Sequence, residues 1–238
     1  MSIAKISLDF WEDFLSLIFP RTCKGCGNSL YNFEEVLCGI CESKLPIISE
    51  ENESLRSRML RKFYGLVRIA EVAVFLKFTR KGTVQRLMHQ LKYKNSPEIG
   101  HDLGRRFGKE MLKNGAFADY DLIVPVPLHP KKQYKRGYNQ SEAIAKGMSE
   151  VMNLSLSKDA LLRRKFTESQ TRKSRFDRYQ NMNDVFHVKS AEIFAGKKVL
   201  LVDDILTTGA TLTACAQQLE KVGTSEISIA VLAAGGRI

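Results

Sequence analysis

A chain of 238 residues with 44% hydrophobic and 26% charged residues has the composition of a globular protein with one sizeable core and room for a small appended module. No run approaches the roughly 20 uninterrupted apolar residues of a membrane helix, and Asp9, Glu12 and Asp13 interrupt the N-terminal apolar stretch, so it does not read as a secretory leader; no integral membrane segment and a cytoplasmic setting are expected. The formal charge of +11 is unevenly placed, with thirteen Lys/Arg against five Asp/Glu between Lys131 and Arg178, which predicts an anionic partner, either a phosphate-rich small molecule or nucleic acid.

Residues 2–19 predict a helix with Ile3, Ile6, Phe10, Trp11, Phe14, Leu17 and Ile18 roughly on one side, ended by Pro20. Its polar face carries mostly acids, so a helix docked on the protein is favoured over one lying in a membrane surface. A cysteine module follows. Cys23 and Cys26, then eleven residues, then Cys38 and Cys41 form two C-x2-C knuckles. Four thiolates are the tetrahedral sulfur set of structural zinc, and they leave no open position for catalysis. Two disulfides or a redox pair are the alternatives; a cytoplasmic setting disfavours the first and two matched knuckles the second. Gly25, Gly27 and Gly39 are expected where the backbone curls around the ion.

Residues 49–62 are polar and predict a linker between an N-terminal unit, 1–48, and a larger domain, 63–238, whose core motifs occupy 120–238. Phe63 to Phe78 predicts a β-hairpin or a pair of short strands. Helices are expected over Thr83–Tyr93 and from Pro97 to about Asn114. The strand "DLIVPVP" (121–127), a helix over Ser141–Met152, the strand "KKVLLVDD" (197–204), a helix over Ala210–Val222 and the strand "EISIAVLA" (226–233) come next. Apolar strands alternating with amphipathic helices make an α/β fold: a parallel central sheet with helices on both faces. Cys215 shares helical spacing with Leu212, Ala216, Leu219 and Val222 and is expected in the core. His89, His101, His129 and His187 form no metal or nucleophile pattern, and only His129 lies near a candidate site.

The segment "VLLVDDILTTGAT" (199–211) carries the most chemistry. A buried strand ends in Asp203 and Asp204, and Thr207, Thr208, Gly209, Ala210 and Thr211 lead into a helix. Hydroxyls, a glycine and free helix N–H groups make an anion cradle. The adjacent carboxylates repel phosphate but accept from hydroxyls. Cradle and acids together fit a sugar phosphate, with ribose hydroxyls on the acids and the 5-phosphate in the loop. A P-loop is excluded by the missing GKS/T sequence. The remainder of a response-regulator site is missing as well, and a purely structural turn would not favour two exposed acids there.

This segment resembles the phosphoribosyl pyrophosphate motif of type I phosphoribosyltransferases, and the wider chain resembles the competence protein F (ComF) family. "VPVPLHPKKQYKRGYNQSEAIA" (124–145) is similar to the family's strand, loop and RGFNQ segment, with Tyr138 for Phe. Arg164, Thr167, Gln170, Arg178, Asn181 and Phe186 match its spaced residues, Lys173 stands where Leu is frequent, and "QLKYK" (90–94) and the double knuckle also match. The resemblance implies a type I phosphoribosyltransferase-like fold with an N-terminal zinc ribbon, binding 5-phosphoribosyl 1-pyrophosphate with Mg2+. It implies that the loop Pro127–Tyr138, with Lys131, Lys132, Lys135 and Arg136, faces pyrophosphate. The basic stretch Arg163–Arg178, including Arg164 and Arg178, corresponds to a loop closing over the site. Asp203, Asp204 and Arg136 are then the residues nearest the chemistry. The family's place in natural transformation implies a competing role. Basic loops interleaved with Tyr134, Tyr138, Phe166, Phe176 and Tyr179 suit single-stranded DNA by charge and stacking.

Overall fold

Among the described residues seven strands form: β1 Val72–Lys77, β2 Leu122–Pro125, β3 Ser155–Leu156, β4 Leu161–Arg163, β5 Phe186–Val188, β6 Lys198–Leu206 and β7 Glu226–Ala234. The computed structural model describes residues 20–48, 53–79, 82–113, 115, 117–163 and 185–234; the expected helix 2–19 and residues 164–184 of the basic loop lie outside them. Five strands make one sheet in the order β1-β7-β6-β2-β3, parallel at every junction, and β4 and β5 pair antiparallel beside it. The helices are α1 Gly39–Ser43, α2 Glu53–Leu60, α3 Thr83–Tyr93, α4 Pro97–Lys113, α5 Pro130–Arg136, α6 Gln140–Met152 and α7 Ala210–Lys221.

Strand alternation divides the interior in two. Leu200 and Val202 of β6 turn to one core with Leu87, Leu91, Leu103, Phe107, Ile144 and Met148 from α3, α4 and α6. Val199 and Leu201 turn to the other with Leu55 and Met59 of α2 and Leu212, Cys215 and Leu219 of α7. Burial on both faces explains why β6 and β7 read as continuous apolar runs. The cysteine module shares the first core, where Cys23, Val36, Leu37 and Leu45 lie with Phe75 and Phe107.

Three stretches depart from the sequence-based expectation. The expected linker contains α2, whose Leu55 and Met59 are buried one turn apart; so few apolar residues in a polar run hide the helical period. Phe63–Phe78 forms no hairpin. Phe63 enters a core, Gly65 turns at φ +74, and only Val72–Lys77 is a strand, paired with β7. The free edge of β1 is covered by residues 46–48 instead, through Ile48 N–H to Phe75 O (2.9 Å) and Lys77 N–H to Pro46 O (2.9 Å). The expected loop Pro127–Tyr138 contains α5, started by Pro130 and capped by His129, whose Nδ1 accepts from Lys131 N–H at 3.1 Å.

Candidate functional site

The site sits where β6 and β2 end side by side, the carboxyl edge at which parallel sheets place their ligands. Asp203 accepts from the Ser141 hydroxyl of α6 at 2.8 Å and from its neighbour's N–H, Asp204, at 2.9 Å. Asp204 is ion-paired through Oδ2 with Lys92 Nζ at 3.0 Å. Burial, then the charge of Asp204, pushes the Asp203 carboxyl up to about 7, against the pull of Ser141, the Asp204 N–H and Lys92.

The loop after β6 brings Thr207 and Thr208 to the surface, and Gly209, at φ +84, opens α7. The α7 ladder starts with Thr213 N–H to Gly209 O (2.8 Å), so the N–H groups before it have no carbonyl one turn back. Ala210 N–H reaches Thr208 Oγ1 only at 3.4 Å. Asp203 and residues 205–212 line a small cavity. Behind the loop, Phe63 stands so close that a Cβ on Gly209 would lie 3.3 Å from its ring, and Lys62 Nζ donates to Thr207 O at 2.8 Å.

β2 delivers the segment 127–138 beside the acid pair, since Pro125 is in register with Val202 and Val126 N–H donates to Val202 O at 2.8 Å. Lys131, Lys132 and Lys135 are exposed on α5. Their field is positive enough that, after burial, Arg163, Lys131 and Lys132 hold His129 below its ordinary value. Arg136 is fixed more firmly. Its Nη1 donates to Gln140 Oε1 at 2.7 Å, and its guanidinium lies 5.6 Å from the centre of the Tyr93 ring. The rest of the RGYNQ segment is scaffold. Gly137 ends α5 at φ +82, the Tyr138 hydroxyl donates to Leu91 O, and Asn139 caps α6 (3.1 Å) while donating to Val126 O (3.0 Å).

Asp203 and residues 207–211 thus line one cavity with Asp204 next in the chain, while Arg136 is held by Gln140 and Tyr93, the chain neighbours of the Ser141 and Lys92 that touch the acid pair. Arg164 and Arg178 lie outside the described residues. Sequence reasoning missed Lys62, Lys92, Tyr93 and Ser141 as neighbours of the site. The available signal was "QLKYK", whose Gln90, Leu91, Lys92 and Tyr93 each make a separate contact.

In the N-terminal module the sulfurs of Cys23, Cys26, Cys38 and Cys41 all lie within 4.8 Å of one another, with Cys26 and Cys38 3.7 Å apart. Four sulfurs about 2.3 Å from one tetrahedral zinc would be about 3.8 Å apart, so the set fits that ion. Burial opposes ionisation of Cys23, but N–H groups of Cys38, Cys26 and Gly25 pull its thiol down to about 6; burial and the neighbouring thiols push Cys41 up. A cation is what lets such a cluster ionise together. Among the three glycines of the module only Gly27 has positive φ (+85). Gly25 is required by space, because a Cβ would lie 2.8 Å from Cys41 Sγ, and Gly39 begins α1, its N–H donating to Glu34 at 2.7 Å.

Residues 140–237 match the family model of the phosphoribosyl transferase domain. Competence protein F of Haemophilus influenzae is 28% identical over 211 residues, covering 87% of each chain. The DNA utilization protein YhgH of Escherichia coli is 30% identical over 146 residues, 60% of this chain and 63% of that one. A solved glutamine phosphoribosylpyrophosphate amidotransferase from B. subtilis is 18% identical, with a TM-score of 0.43 over 60% of this chain and 30% of its own. Residues 140–237 thus carry the match to a phosphoribosyl transferase domain on a parallel α/β sheet, and the chain, with a four-cysteine cluster in its N-terminal part, is similar to competence protein F along most of its length.

Proposed function

We propose that the chain binds 5-phosphoribosyl 1-pyrophosphate with Mg2+ and transfers the phosphoribosyl group to an acceptor, in a process linked to DNA uptake. The observation that carries this reading is the acid pair at the end of β6 beside the 207–211 loop and its cavity. Asp203 and Asp204 take the ribose hydroxyls. Thr207, Thr208, Gly209, Ala210 and Thr211 take the 5-phosphate at the start of α7. Arg136, Lys131, Lys132 and Lys135 face the pyrophosphate, with Arg164 and Arg178 supplied by the basic loop. The bond from C1 to pyrophosphate breaks, positive charge develops on the ribose ring, and the acceptor's electron pair forms the new bond to C1. Mg2+, bound with the substrate, would offset the charge of the leaving pyrophosphate. The protein's part is positioning and electrostatic stabilisation. A structural zinc on Cys23, Cys26, Cys38 and Cys41 belongs to the same reading.

A second reading is favoured by α5, where Lys131, Lys132 and Lys135 surround Tyr134, whose side chain is 94% exposed. Charge and an open ring together suit single-stranded DNA, and one relative is named for DNA utilization. The two readings part in one set of measurements. Incubation with phosphoribosyl pyrophosphate, Mg2+ and a panel of bases is expected to release pyrophosphate with one class of acceptor. No release with any base, together with binding of a 30-base oligonucleotide that weakens with salt at a log–log slope near −0.7 per phosphate contact, would favour the DNA reading instead.

A further inference from the structure

We propose that Lys92 is a positioning residue of the ribose subsite, acting through Asp204; this rests on the reading of the acid pair as the ribose-binding group. Lys92 lies in the last turn of α3, outside the matched domain, yet its Nζ is 3.0 Å from Asp204 Oδ2, with side chains only 23% and 13% exposed. The two acids are not equivalent. Asp203 already receives the Ser141 hydroxyl and the Asp204 N–H, whereas the partner of the Asp204 carboxylate is Lys92. An ionised carboxylate accepts from several donors at once, so Oδ2 can stay on Lys92 while Oδ1 takes a ribose hydroxyl. The lysine fixes the plane of that carboxylate and offsets the repulsion between two adjacent, partly buried acids.

The rest of α3 explains how a residue so far from the loop in sequence is held to this distance. Leu91 is fully buried and its carbonyl receives the Tyr138 hydroxyl. Gln90 Nε2 donates to Lys24 O of the first knuckle at 2.6 Å, and Tyr93 lies beneath Arg136. Each residue before and after Lys92 is therefore anchored to a different part of the molecule, and the lysine cannot drift without disturbing them.

The test is a double-mutant cycle read by calorimetry with ribose 5-phosphate as the probe, on the parent, Lys92→Met, Asp204→Asn and the double variant. Lys92→Met is expected to weaken binding about tenfold in the parent, but less than about twofold in the Asp204→Asn background, because the lysine acts through that carboxylate. Lys92→Arg, which keeps the charge, is expected to restore most of the affinity. Unchanged affinity in Lys92→Met, or an equal loss in both backgrounds, would overturn the proposal. Thermal melts of the same four proteins without ligand separate the two claims. If the parent does not bind the probe, the ribose-site reading fails; the role of Lys92 on Asp204 then stands on non-additive melting temperatures and falls on additive ones.

Discussion

Two adjacent carboxylates in a partly buried site are costly to ionise together, and the protein divides the cost unequally. Lys92 holds Asp204, while burial and its neighbour's charge push Asp203 up to about 7 from 3.8. A carboxyl raised in the folded state binds its proton more tightly there than in the unfolded chain. It therefore lowers stability as pH rises from about 4 to about 7, and the loss is complete above that. The melting temperature of Asp203→Asn is expected to exceed that of the parent increasingly across this window and to run parallel above it. Asp119 and Asp121, held low by hydrogen bonds from Lys198, act with the opposite sign at lower pH, but equally in both proteins. Parallel melting curves between pH 4.5 and 8 would show that Asp203 is not raised.

At the scale of elements, α4 and α6 approach each other closely. Gly100, Gly104 and Gly108 form a stripe on α4, and Gly147 faces them from α6. A Cβ on Gly104 would collide with the carbonyl of Ile144, and one on Gly147 with the carbonyl of His101. In an open helix, Gly→Ala stabilises by about 1 kcal/mol; here Gly147→Ala is expected to destabilise by roughly 1–3 kcal/mol, the usual range for overpacking. Urea midpoints decide the sign. The stripe was not legible in the sequence, because hydrophobic period marks which face is buried but not how near the partner backbone comes. What was legible follows the same logic. β2, β6, β7, α3, α4, α6 and α7 form within a few residues of their expected limits, since each carries a continuous or periodic apolar pattern. α2 and α5 were missed because one hides two apolar contacts in a polar run and the other is held by its cap and Pro130 rather than by buried residues.

Over the whole molecule, the cysteine module and the sheet are one packed body along the first core, joined by Gln90 to Lys24 O and by Lys24–Glu98 at 3.2 Å. The acid pair, the loop and Arg136 were open to proposal from the sequence because residue types close in sequence define them. Lys62, Lys92 and Ser141 were not, because only the fold brings them there. If the four thiols hold zinc, the purified protein is expected to carry about one equivalent of metal, and Cys38→Ser should lose it and loosen the module more than the α/β core. Metal analysis finding no zinc in protein purified without chelator would contradict this. The central claim is that a phosphorylated ribose sits on Asp203, Asp204 and the loop between Thr207 and Thr211. Its most direct test is calorimetric titration of phosphoribosyl pyrophosphate with Mg2+ into the parent and into the Asp203→Asn, Asp204→Asn double variant, which keeps shape and loses charge. Each lost charged hydrogen bond is worth about 1.5–3 kcal/mol, so the variant is predicted to bind at least tenfold more weakly; equal affinity in the two proteins would contradict the account.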